Sequence, residues 1–205
     1  MEQHPSTATE HRDDFGAKLG MWIFIFTELL LFAGLFLVYA VFRSKYFQDF
    51  HIAAHQLNTF IGAVNTIVLL ISSATIAASI SAIQKNNKVL ALRLLYATFF
   101  LALVFLVNKY FEWGHKIEYQ LYPGSDPLLT LKNGQVLFFG LYYFMTGLHV
   151  LHIIIGMTLM GVIIVKVKSN KINSSSYVLL ENGGLYWHLV DLIWIFLFPL
   201  LYLIT

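Results

Sequence analysis

Five long apolar runs, separated by polar breaks, constrain this chain more than any other feature. The runs cover about residues 19–42, 57–83, 91–111, 136–165 and 185–204. A helix needs about 20 apolar residues to cross the hydrocarbon core of a bilayer, and each run supplies them. The breaks, Arg43–Gln56, Gln84–Val89, Glu112–Gln135 and Lys166–Gly184, are polar. Apolar residues surround most of each run, as lipid-exposed helices require, and they do not alternate with the period of two that a barrel strand needs. The expected fold is therefore all-α: a polytopic membrane protein built as a bundle of five transmembrane helices across residues 19–205. Only 12% of residues are charged against 58% hydrophobic, about half the charged share of a soluble domain. Residues 1–18 are polar and mixed in charge, without the basic start, short apolar core and small-residue cleavage site of a signal peptide. They read as a polar cytoplasmic arm. The chain has no cysteine, which excludes disulfides, thiolate metal sites and thiol catalysis. No basic patch suits nucleic acid.

Five crossings put the termini on opposite sides. With the N-terminus inside, the inner segments hold Arg12, Lys18, Lys85, Lys88, Arg93, Lys166, Lys168 and Lys171. The outer segments hold Arg43, Lys45, Lys109, Lys116 and Lys132. The positive-inside rule favours N-in and C-out. Small residues mark the second run (Ser72, Ser73, Ala74, Ala77, Ala78, Ser79) and the fourth (Gly147, Gly156, Gly161), where they let helices approach closely. Pro199 predicts a kink in the last run, tolerated in lipid where neighbours re-satisfy the backbone.

Ionisable side chains inside the runs are the anomaly. Glu28 is the only charge between Trp22 and Phe32; His149 and His152 lie three apart; His188 and Asp191 lie three apart beside Tyr186, Trp187 and Trp194. Residues at that spacing share a helix face, and such groups at membrane depth face protein or a polar cavity and mark function by default. At about 1.5 Å per residue, Glu28 lies about 13 Å and Asp191 about 9 Å along their helices from the inner surface. The two histidines sit past the middle of a helix that descends from outside. The expectation is one intramembrane seam of Glu28, His149, His152, His188 and Asp191. Glu28 is suited to carrying a proton, to hydrogen-bonding a partner helix or to meeting a lipid headgroup. It also suits a purely structural role as a protonated acid. For the histidines the favoured role is a hydrogen-bonded structural pair, since a metal would require a third and fourth ligand from His188, Glu28 or Asp191. A secondary cluster, Glu112 and His115 with Glu118, ends the third run and is expected to be interfacial and solvated, with a docking surface as its alternative. Glu181 precedes the fifth run, where a helix dipole favours an acid and a basic partner would pair with it.

Taken together, these motifs resemble subunit III of heme-copper respiratory oxidases. Leu19-Gly-Met-Trp-Ile-Phe-Ile-Phe-Thr-Glu28-Leu-Leu-Leu-Phe-Ala-Gly34 is similar to the family's helix bearing a buried glutamate. Leu57-Asn58-Thr59 and Asn65-Thr66-Ile-Val-Leu-Leu-Ile-Ser-Ser73 resemble its next helix. Tyr110-Phe111-Glu112 resembles its E-Y-x-E helix end, with Lys109 in place of the first acid. The strongest matches are Tyr143-Phe-Met-Thr146-Gly147-Leu-His149-Val-Leu-His152-Ile-Ile-Ile-Gly156 and the segment from Glu181 to Leu197 containing Tyr186-Trp187-His188-Leu-Val-Asp191-Leu-Ile-Trp194. The resemblance implies an accessory subunit of a proton-pumping terminal oxidase that reduces oxygen to water in the cytoplasmic membrane of a bacterium. It implies subunits I and II as partners, with heme and copper carried by them. On this chain it implies no catalytic residue, metal or redox cofactor, and it implies contact with membrane lipid. Seven-helix members have two further N-terminal helices that enclose a lipid-filled cleft. The five runs here match the remaining five, which leaves bound phospholipid, and membership of a larger respiratory supercomplex, as open expectations. The resemblance further implies a role in proton uptake and in protection from turnover inactivation. Cytochrome c is favoured over quinol as donor. Alternatives are a five-helix quinol-oxidase subunit and a nitric oxide reductase-associated relative. A freestanding membrane heme or metal protein is a different class, and a transporter is disfavoured because no pair of broken helices marks a midplane site.

Overall fold

The computed structural model describes residues 14–203. Five long helices carry the apolar runs: α1 (Asp14–Lys45), α3 (Thr59–Gln84), α4 (Lys88–Glu118), α6 (Asn133–Lys168) and α7 (Val178–Phe198). Two short helices, α2 (Phe47–Ala54) and α5 (Asp126–Leu129), fold within the breaks. The all-α, five-span architecture read from the sequence is the one observed. Of the expected N-terminal arm, residues 1–13 lie outside the described residues, and residues 14–18 form the start of α1.

Local chemistry sets the ends. The Asn58 side chain accepts a hydrogen bond from the Ile61 amide and Asn87 accepts one from Leu90, each 3.1 Å, satisfying amides that have no partner within the helix. Asn86 and Asn170, with φ of 61° and 57°, take the left-handed conformation just past α3 and α6, where asparagine is well tolerated. A short turn, residues 85–87, then joins α3 to α4, and a longer connection, residues 169–177, joins α6 to α7.

α7 is the hub. It packs on α1, α3 and α6 and buries Trp187, Trp194 and Leu197. Hydrogen bonds stitch it to α3: Trp187 Nε1 donates to Ser72 Oγ and Trp194 Nε1 to Thr66 Oγ1, each 3.0 Å. The α3–α4 pair is joined by Thr75 with Thr98 and by Asn108 donating to Asn65, each 2.8 Å. In lipid these polar bonds and close packing supply the association that hydrophobicity gives in water. Among the small residues expected to permit close approach, Gly156 does so within the chain. A Cβ there would stand 2.9 Å from the Trp187 ring, whereas Gly161 faces open space.

α1 is peripheral. Its buried residues, Ile25, Phe32 and Tyr39, recur every seven positions and form one narrow stripe. Its other faces present Trp22, Phe26, Leu30 and Leu37 outward. At Pro199 the last helix passes into a π-helical turn, Pro199–Leu203. Neighbouring helices bond to the carbonyls of this turn: Tyr39 donates to the Leu200 carbonyl at 2.9 Å and Thr59 to the Tyr202 carbonyl at 3.4 Å.

Candidate functional site

Counted from the observed helix ends, Glu28 lies about 21 Å along α1, His152 about 24 Å before the end of α6, and Asp191 about 20 Å along α7. By this count the groups lie at a similar level along the bundle. They do not form a single seam. Three separate settings divide them.

In the first, Glu28 and His152 meet across the α1–α6 interface. His152 Nε2 lies 2.9 Å from Glu28 Oε2, and its Nδ1 lies 2.8 Å from the Leu148 carbonyl. A carbonyl only accepts, so Nδ1 carries a hydrogen. Nε2 therefore either accepts from a protonated Glu28 or donates to an ionised one. Either way the contact holds one proton. Phe32 sets its ring edge-on to His152, with centroids 5.5 Å apart. Tyr186 donates to the His152 carbonyl at 3.0 Å and stacks on Phe24. The glutamate side chain is 17% exposed, so the pair sits at the rim of the bundle, within reach of whatever covers α1.

In the second, His188 Nδ1 lies 2.6 Å from Ser73 Oγ on α3, and Asp191 also interacts with Ser73. Asp191 is 5% exposed and its Oδ1 has no partner among the described residues. This pair binds α7 to α3 and does not reach Glu28.

In the third, His149 is fully buried between the rings of Phe105 and Trp194, and neither ring nitrogen has a partner among the described residues. The expectation of a hydrogen-bonded His149/His152 pair holds for His152 alone. Three-residue spacing splits the two imidazoles, one onto the α1 side and one into the core. Among the described residues no three His, Asp or Glu side chains converge at metal-ligand spacing.

The secondary cluster is also divided, and here the sequence reading is corrected. His115 and Glu118 are exposed and 3.5 Å apart, as expected at a solvated helix end. Glu112 is not solvated. It is 4% exposed, 3.0 Å from the equally buried Lys109 ammonium. Tyr142 donates to its Oε1 at 2.6 Å and Tyr202 donates to the same atom. Lys109 donates to the Tyr202 hydroxyl at 2.7 Å and sits 4.6 Å above the Trp194 ring. Lys116, over the Tyr142 ring, donates to the Gln56 carbonyl at 3.4 Å. Helical rotation places Lys109, Glu112 and Lys116 on one buried face of α4. The spacing was visible in the sequence. The acceptor-matching tyrosines, 30 and 90 residues away, were not. Glu181, in the first turn of α7, pairs with Lys18 of α1 at 2.8 Å, which ties the two helix starts together.

Residues 7–205 match the sequence profile of cytochrome c oxidase subunit III. The chain belongs to that family. A cytochrome c oxidase subunit 3 of Thermostichus vulcanus is 32% identical over 201 residues, covering 97% of this chain and 91% of the relative. The Saccharomyces cerevisiae subunit 3 is 31% identical over 195 residues, covering 91% of this chain and 67% of the yeast protein. A heme-copper oxidase subunit I+III of Aeropyrum pernix is 31% identical over 197 residues; 91% of this chain matches 22% of that polypeptide, so the chain spans about a fifth of its length. As a heme-copper oxidase subunit III with five apolar helices, the protein is a multi-pass membrane component of a heme-copper oxidase. The Glu28 helix, the two histidines of α6 and the Trp187–Asp191 segment of α7 all fall within the matched region.

Proposed function

We propose that this subunit III is a non-catalytic component of a proton-pumping terminal oxidase of the cytochrome c type, reducing oxygen to water. It packs on subunit I, supports proton uptake and guards the catalytic subunit against inactivation during turnover. Heme and copper belong to subunits I and II. The observation that carries the reading is the Glu28–His152 contact, a one-proton pair at the rim of the bundle in a helix that is otherwise apolar. A group that holds a proton there, partly exposed to a neighbouring subunit, is placed to influence proton entry. The Aeropyrum pernix relative, in which subunits I and III are named together, supports subunit I as the partner. The chain is oriented N-in and C-out in a bacterial cytoplasmic membrane. An apolar groove of about 230 Å³ between α1 and α7, lined by Leu29, Phe32, Phe36, Leu192 and Phe196, suits a phospholipid acyl chain.

The test is purification from native membranes with identification of the accompanying subunits and measurement of turnover inactivation with and without this chain. Co-purification with oxygen-reducing subunits I and II, and faster activity loss in its absence, is the expected result. Recovery with a nitric oxide-reducing enzyme, or unchanged inactivation, overturns it.

A further inference from the structure

The short helix α2, between the first two spans, carries His51, and His55 caps its C-terminus one turn on. Their ring centroids are 4.5 Å apart with the planes at 69°. Both side chains reach the surface. Among the described residues, imidazole hydrogen bonds are made by His152 and His188; the rings of His51 and His55 make aromatic contacts instead, with each other and with Phe47. Two imidazoles in contact, four residues apart across the last turn of a helix, offer two nitrogens to one ion. Metal–imidazole bonds of about 2.0–2.1 Å put two donors on one ion about 3 Å apart, a separation compatible with ring centroids 4.5 Å apart. The nearby acid, Asp49, is turned to Lys132 at 3.9 Å.

We propose that His51 and His55 bind a divalent transition ion of the imidazole-preferring class, Cu²⁺ or Zn²⁺, as an exchangeable site. Neutral imidazole favours these ions over Mg²⁺ or Ca²⁺, which prefer oxygen. No third His, Asp or Glu among the described residues completes a cage, so water fills the remaining positions and the ion is open to exchange. The site depends neither on the orientation of the chain nor on its role in the oxidase.

The experiment uses the full chain without a polyhistidine tag, purified in detergent. Titration with Cu²⁺ and Zn²⁺ is followed by calorimetry, and the Cu²⁺ complex by electron paramagnetic resonance. One ion per chain, with nitrogen hyperfine structure from two imidazoles, is expected. Because the second imidazole binds as an intramolecular partner, His51→Asn or His55→Asn is expected to weaken binding about tenfold or more, while His115→Asn has no effect. His55 is exposed and His51 half-buried, and the circular dichroism of each variant checks that its helices are retained. Equal binding by the wild type and the His51→Asn/His55→Asn double variant overturns the proposal, as does a copper spectrum without two imidazole nitrogens.

Discussion

At Glu28 the hydrogen on His152 Nδ1, held by the Leu148 carbonyl, fixes what the carboxyl can do: it shares one proton with Nε2. Glu28→Gln keeps a donor opposite Nε2 and removes the acid. The subunit is therefore expected to assemble normally while the oxidase loses activity faster during turnover. Inactivation time courses of matched wild-type and variant complexes check this, and superimposable curves count against a functional Glu28. Glu112 is a different kind of acid. It accepts from Lys109, Tyr142 and Tyr202 at once, so removing it leaves two tyrosine hydroxyls without their acceptor and the Lys109 ammonium with the Tyr202 hydroxyl alone. Breaking one side of a buried ion pair costs about 3–5 kcal/mol. Glu112→Leu is expected at the upper end of that range. Lys109→Met leaves the carboxylate its two tyrosine donors and is expected to cost less. Unfolding midpoints in detergent give the order, and equal losses contradict it. Glu28 was legible as an anomaly and Glu112 read as a solvated helix end; the partners of both were hidden, because a one-dimensional pattern gives the face of a helix and not which helix lies opposite.

At the level of elements, Gly156 marks a close contact between α6 and α7. A Cβ there would also stand 3.1 Å from Tyr186, and Trp187 is held by its bond to Ser72, so the ring cannot yield. Alanine would gain about 1 kcal/mol of helix propensity over glycine, against about 1–3 kcal/mol for overpacking. Gly156→Val, larger still, is expected to lower the unfolding midpoint clearly, while Gly161→Ala, facing open space, leaves it unchanged or raised. Equal midpoints for the two variants contradict the assignment. All five spans were readable because lipid demands about 20 apolar residues from each helix. Their ends were not. α7 begins at Val178 rather than Leu185 because Asn182, Gly183 and Gly184, which look like breakers, are packing residues. A Cβ at Gly184 would stand 2.8 Å from Ile80, and Asn182 donates to the Ala17 carbonyl at 3.1 Å. α2 and α5 escaped notice because helices of eight and four residues leave no long periodic pattern.

Across the whole molecule, burial changes the charge argument for orientation. One end of the bundle gathers Lys18, Lys85, Lys88, Arg93, Lys166, Lys168 and Lys171. Lys88 there donates to the Lys168 carbonyl at 2.8 Å and to Asn170 at 2.6 Å, closing the α6–α7 turn. The opposite end has Arg43, Lys45, Lys109, Lys116 and Lys132, but Lys109 and Lys116 are 1% and 6% exposed and engaged within the protein. Topology is set by basic residues in short loops and near helix ends. Removing these two internal cations from the outer set makes the asymmetry steeper than the sequence count implied. The proposed N-in, C-out orientation is open to a direct check because the chain has no cysteine. Ser44 and Ser175 are both exposed, at opposite ends of the bundle. In intact cells a membrane-impermeant thiol reagent is expected to label Ser44→Cys and to spare Ser175→Cys. In inverted vesicles the pattern is expected to reverse. Labelling of Ser175→Cys in intact cells would put the lysine-rich end outside and overturn the orientation, while leaving the packing of the five helices as it stands.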